Sequence, residues 1–256
     1  MNTPQALLNW LRAWGRAGRF ALVGGAAVLS PSSYTPISRS VSVKQIYFTA
    51  YQVLPAYVFF ATLLGLVVAH ITVAVMRSFG LTQYALELVF RALVLEVAPI
   101  LTALFVALRS GAAISTEIAL MQVSGELEEM RRRSIDPFER EFVPRIVGVA
   151  FAMASLTILG SALMLLLAYV AMYGILPWGF EAYTRAIALV FDPLAIAGFA
   201  LKCFVFGILV AMIPIAAGLD ATREIKSAPV AVMGGMVRLF SALAFVEIMS
   251  LAVKYA

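Results

Sequence analysis

Three charged residues stand inside an otherwise apolar run of 28 residues, LEVAPILTALFVALRSGAAISTEIALMQ: Glu96, Arg109 and Glu117. A charge placed in a membrane span is costly, and it marks a substrate path, an ion site or a paired structural contact. Glu96 has two readings. It either pairs with a backbone donor or a cation as a structural contact, or it lines a cavity between spans, with Leu95 and Pro99 beside it; the second is adopted as the expectation. Arg109 and Glu117 are eight residues apart, two helical turns, and so point to similar faces. They bracket Ser110-Gly111-Ala112-Ala113, small residues that let helices approach closely. The expectation for Arg109, Gly111 and Glu117 is bracing of the bundle rather than contact with substrate.

Enzymatic chemistry finds little support. There is no G-x-x-x-x-G-K-[ST] segment, so the chain has no phosphate-binding loop of its own. Cys203 and His70 are single residues of their kinds, which leaves no disulfide framework, no Cys/His metal cluster and no Ser/His/Asp set. Paired aspartates for intramembrane proteolysis are missing, because Asp136, Asp192 and Asp220 fall near the ends of apolar segments. No cofactor or metal is expected on this chain.

These residues need elements to position them, and composition says which kind. The chain has 256 residues, 62% hydrophobic and 13% charged, with a mean hydropathy of +0.96. Soluble domains are about half apolar and about a quarter charged, so an all-α integral membrane protein is expected, a single domain over residues 1–256. Five apolar segments, about 46–76, 84–120, 142–174, 193–217 and 229–253, each exceed the roughly 20 residues that cross a bilayer. Pro99 and Pro214 are expected to break the second and fourth. Residues 5–28 put Leu7, Trp10, Leu11, Trp14 and Leu22 opposite Arg12, Arg16 and Arg19, the pattern of an amphipathic helix lying in the membrane interface. No cleavable signal peptide is expected. Residues 174–192 carry Trp178, Phe180 and Tyr183 and an i,i+4 pair, Glu181 and Arg185, and read as a second interfacial helix.

Basic residues orient the bundle. Arg12, Arg16, Arg19, Arg39 and Lys44 precede the first span, Arg131, Arg132, Arg133, Arg140 and Arg145 follow the second, and Arg223, Lys226 and Arg238 lie around the gap between the fourth and fifth. The opposite side has little beyond Arg77, Arg185 and Lys254. Positive charge stays in the cytoplasm, so the N-terminus is expected there and the C-terminus outside. The net charge of +5 belongs to these loops; no stripe of basic residues with aromatics suggests nucleic acid.

Between the second and third spans lies SGELEEMRRRSIDPF. Val123, Leu127, Met130 and Ser134 follow a 4-3-4 spacing, and Glu128 with Arg132 and Glu129 with Arg133 have the favourable i,i+4 order. Asp136-Pro137 ends this helix and starts another, Asp as cap and Pro at the first position. A short helix with an apolar stripe and a sharp stop, over 121–136, is shaped to insert into the groove of a partner.

Residues 95–145 resemble the MlaE family of permeases, which serve ABC transporters that work with MCE proteins on lipids. The family pattern E-L-G/A-P-V-L-T-A-L-L-V-A-G-R-x-G-S-A-I-A-A-E-L-G-x-M is matched by Glu96, Ala98, Pro99, Leu101, Thr102, Ala103, Leu104, Arg109, Gly111, Ala113, Ile114, Glu117 and Met121. Its continuation, T-E-Q-I-x-A-L-x-x-M-G-I-D-P, is matched by Glu126, Leu127, Ile135, Asp136 and Pro137, with Pro144 and Arg145 beyond. Two departures stand out: Leu95 and Leu108 occupy positions where the family pattern has Arg and Gly. A third is the loop after the fourth span, where Gly218-Leu219-Asp220 runs into ATREIKSAPVAVMGG instead of the family's Gly-rich sequence.

The resemblance implies a permease in the bacterial inner membrane that moves phospholipid or related lipids. It implies a dimer, of two copies or of two different permeases. A cytoplasmic ATPase, carrying ATP and Mg, would receive the helix around Gly125–Arg133 through Glu126, Leu127, Met130, Arg131, Asp136 and Pro137. An MCE-domain protein would take or deliver the lipid on the periplasmic side. Two other readings remain open here: a membrane scaffold that transports nothing, and an ion-coupled secondary transporter with Glu96 and Glu117 as ion sites.

Overall fold

The computed structural model describes Gly15, residues 43–222 and residues 226–255; the interfacial helix expected over 5–28 lies outside the described residues. Every described element is helical. Five helices are long and apolar enough to cross a membrane: α1 (Val43–Ser78), α2 (Thr82–Ser124), α4 (Phe138–Tyr173), α6 (Pro193–Leu219) and α7 (Ser227–Tyr255). Two shorter helices lie at their ends, α3 (Glu126–Arg132) between α2 and α4, and α5 (Phe180–Val190) between α4 and α6. An up-and-down order puts α3 at one end of the bundle and α5 with the last turn of α7 at the other.

Helix α2 is the central element. It packs on α4, α6 and α7, while α1 lies against α4. In its most apolar stretch 56% of residues are buried, against 22% for α1 and α7, whose outward faces carry large apolar side chains such as Phe59, Phe60, Ile71, Phe245 and Ile248. A bilayer solvates that surface at no cost, so membrane helices can leave it bare.

Small residues set the closest approaches. A Cβ on Gly160 of α4 would come within 1.9 Å of the Tyr57 hydroxyl of α1, and one on Gly235 of α7 within 2.2 Å of the Ala217 Cβ of α6. The Tyr57 hydroxyl pairs with Thr102 of α2 at 2.9 Å, and Thr102 in turn donates to the Ala98 carbonyl at 2.8 Å. Because the Thr102 proton is committed to Ala98, Tyr57 is the donor to Thr102.

The two prolines expected to break spans do not break them. Pro214 sits inside the uninterrupted helix α6. At Pro99 the chain stays helical but widens, with π winding over Phe90–Val97 and again over Ala107–Gly111. In a π turn each carbonyl accepts from the fifth residue ahead rather than the fourth, so a carbonyl facing the missing N–H of Pro99 can use another donor. The same pairing recurs at the start of α4, where π winding over Phe138–Phe142 precedes Pro144.

At the end of the bundle opposite α3, Asp192 caps the N-terminus of α6: its Oδ1 accepts from Ala195 N at 2.6 Å, with Pro193 at the first position. Helix α5 has the expected Glu181–Arg185 pair at 2.8 Å. Tyr183 turns inward rather than into the interface, packing edge-on against Phe90 and Tyr169 and donating to the Leu165 carbonyl at 2.9 Å. Burial pushes its phenol above the usual tyrosine range.

Candidate functional site

Four charged side chains meet between α2, α6 and α7. Glu96 of α2 accepts from Lys202 of α6 on one carboxylate oxygen and from Lys254, in the last turn of α7, on the other, the latter at 2.6 Å. Lys202 also donates to Glu247 of α7 at 2.9 Å. The side chains of Lys202, Glu96, Glu247 and Lys254 are 4%, 12%, 15% and 26% exposed, so the group is enclosed, with Lys254 at its outer edge. Among the described residues, the group pairs two carboxylates with two ammonium groups, equal in number. Neutrality is what permits such burial, since an unpaired charge in that setting is far more costly than a pair.

The expectations for Glu96 and its neighbours divide here. Glu96 has cationic partners from two other spans, which the sequence reading allowed but did not name. Leu95 is 3% exposed within the apolar core and Pro99 is buried, so both face the packed interior, because α2 is enclosed on several sides. An apolar groove of about 480 Å³ lies elsewhere, toward the α3 end, between the start of α1 (Val43, Tyr47, Tyr51) and α4 (Phe151, Leu159).

Sequence reasoning missed Lys202 and Glu247, which lie in the runs GFALKCFVFG and FVEIMS. A signal existed, since each is a lone charge in a span. Lys254 had been assigned to the outer flank as a topology charge.

Toward the α3 end, Arg109 and Glu117 do not meet. Arg109 donates to Gln52 of α1 at 3.1 Å, and Glu117 accepts from Arg145 of α4 at 3.1 Å. The widened turn at Ala107–Gly111 shifts the register on which a shared face was inferred. Arg145, a buried residue, also holds Glu141 at 2.6 Å. Gly111 lies at a crossing, where a Cβ would stand 3.3 Å from Pro214 and 3.8 Å from Leu239. A further brace, Arg238 to Asp220 at 3.1 Å, ties α7 to the end of α6; Arg238 had been counted as a loop charge.

The charged block is not one helix over 121–136. Met121 to Ser124 belong to α2, and Gly125 adopts φ +79°, the left-handed conformation that ends one helix and starts the next. Val123 therefore cannot share a stripe with Leu127. Leu127 is 2% exposed in the apolar core, so it anchors α3 to its own bundle. Glu126 and Arg131 are exposed and Met130 is half-buried. The ion pairs form as spaced, Arg132 to Glu128 at 3.3 Å and Arg133 to Glu129 at 2.8 Å. Ser134 has φ +59°, Asp136 Oδ1 caps the next turn by accepting from Phe138 N at 2.9 Å, and Pro137 is buried at its start.

A bundle of five helices long and apolar enough to span a bilayer, with an enclosed charge group, is the architecture of a polytopic membrane protein. The chain belongs to the MlaE permease family: the family profile, described as Permease MlaE, matches residues 42–253. Among its relatives, a probable ABC transporter permease of Rickettsia prowazekii is 23% identical over 219 residues, 86% of this chain and 83% of the relative. The intermembrane phospholipid transport system permease MlaE of Haemophilus influenzae is 29% identical over 155 residues, 60% of this chain and 57% of that protein. A probable ABC transporter permease of Synechocystis is 30% identical over 169 residues, 63% of each chain.

Proposed function

We propose that this chain is the membrane-spanning permease of an ATP-driven transporter that moves phospholipid between the inner membrane and a periplasmic MCE-domain protein. The observation that carries the reading is the family match across all five spans, together with the phospholipid transport named for the Haemophilus relative. ATP and Mg would sit on a separate cytoplasmic ATPase. The chain would work beside a second permease, identical or different. By the distribution of basic residues the N-terminus is cytoplasmic and the C-terminus periplasmic, which puts α3 in the cytoplasm.

In this reading α3 is the coupling helix. Glu126, Met130 and Arg131 present the surface for the ATPase, while Leu127 and the Asp136-Pro137 turn hold that surface to the bundle, so that force applied to α3 reaches α2. Glu96 lies beside the lipid path, where rocking of the spans would open the enclosed charge group to a polar headgroup. Arg109, Gly111 and Glu117 brace the bundle.

Reconstitution of the purified chain with its ATPase in liposomes tests the function. Phospholipid transfer that requires ATP is the expected result. Transfer driven by an ion gradient alone would select a secondary transporter, and no transfer under any condition would leave a scaffold. A photocrosslinker at position 96 should trap phospholipid, and a lipid-free adduct would remove Glu96 from the path.

A further inference from the structure

The charge group is balanced by a residue at the far end of the chain. Glu96 and Glu247 bring two negative charges into the span region, and Lys202, enclosed between them, supplies one positive charge. The second comes from Lys254, in the last turn of the last helix, bonded to the Glu96 oxygen that Lys202 does not use. Position 95, directly before this glutamate, is Leu95, buried among apolar side chains. The second positive charge at Glu96 is thus supplied by α7 and not by a sequence neighbour on α2.

We infer that Lys254 is a positioning residue that completes a charge-neutral quartet, holding Glu96 as a fixed carboxylate and fastening the end of α7 to α2. Without Lys254, two enclosed carboxylates would share one ammonium. That net charge is costly in an apolar setting, and the pair relieves it by taking up a proton. This inference rests on the proposed transport role only for its effect on activity; the charge balance stands by itself.

Dicyclohexylcarbodiimide, an apolar reagent that adds to protonated carboxyl groups, reads the balance directly in membranes containing the full-length chain with its partners. The wild-type protein should show little adduct at Glu96 or Glu247 by peptide mass spectrometry. Lys254→Met should raise adduct at one of the two by at least about tenfold. Lys254→Arg, which keeps the charge, should stay at the wild-type level. Lys254→Met with Glu247→Gln restores one negative and one positive charge and should lower the adduct again. A purely structural contact would not respond to that second removal of charge. Equal labelling of wild type and Lys254→Met overturns the inference, as does a double variant labelled as heavily as Lys254→Met. If Lys254→Met fails to accumulate, heavy labelling of Lys254→Arg overturns it. Absence of phospholipid transfer by the wild-type complex would defeat the proposed function and leave the labelling result to decide the quartet.

Discussion

Pairs of opposite charge serve different purposes in two parts of this bundle, the enclosed quartet and the exposed helix α3. Toward the C-terminal end, Glu96, Lys202, Glu247 and Lys254 are enclosed and come from three helices. At the other end, Glu128, Glu129, Arg132 and Arg133 lie on one exposed turn, each pair closed within four residues. Enclosed charges hold separate helices in register, because losing any one strands another. Exposed pairs contribute little to stability and remain available to a partner. The contrast separates a part whose charges are enclosed between helices from a part whose charges are exposed on one helix.

The sharpest way to break this comparison is at Lys202. Lys202→Met leaves two enclosed carboxylates with only Lys254 nearby and should cost about 3–5 kcal/mol, read as a large fall in the thermal midpoint in detergent; a change as small as that of a surface variant would abolish the distinction between the ends. Arg145→Ala comes next. Arg145 joins α4 to α2 through Glu117, which is 56% exposed, and holds Glu141, 16% exposed, on its own helix; its removal strands one enclosed carboxylate rather than two, so the loss should be smaller, about 1.5–3 kcal/mol, by the same measurement. Glu128→Ala and Glu129→Ala should each shift stability by only about 0.3–0.5 kcal/mol. Met130→Asp with Arg131→Glu should likewise spare folding yet abolish co-purification of the ATPase; retained ATPase would remove α3 from the coupling role. Raising salt toward 1 M, where the screening length is about 3 Å, should weaken the exposed pairs and leave the thermal midpoint of wild-type protein nearly unchanged, because the quartet is shielded from ions.

What the sequence made legible follows the range of the interactions. Spans come from length and hydropathy, and the structure has helices over all five apolar segments. The pairs Glu128–Arg132, Glu129–Arg133 and Glu181–Arg185 are fixed by helical spacing alone, and all three form. The quartet joins residues 106 and 158 positions apart, which no local rule can pair. Its members could still have been collected as lone charges in apolar runs, though not assigned to one another. The expected stripe from Val123 to Ser134 failed for a local reason: one glycine in the left-handed conformation changes the helix axis and separates residues that periodicity had aligned. The expected common face of Arg109 and Glu117 failed because a π-wound turn holds more residues than an α turn.

The length of α2 has a mechanical meaning. From Glu96 to Ser124, the last residue of α2, the helix advances 28 residues, about 42 Å at 1.5 Å per residue. A rod of that length pivoting by about 5° at one end sweeps its other end through about 4 Å, roughly the width of a side chain. A small rotation of α2 at its α3 end would therefore move the region of Glu96 by that distance.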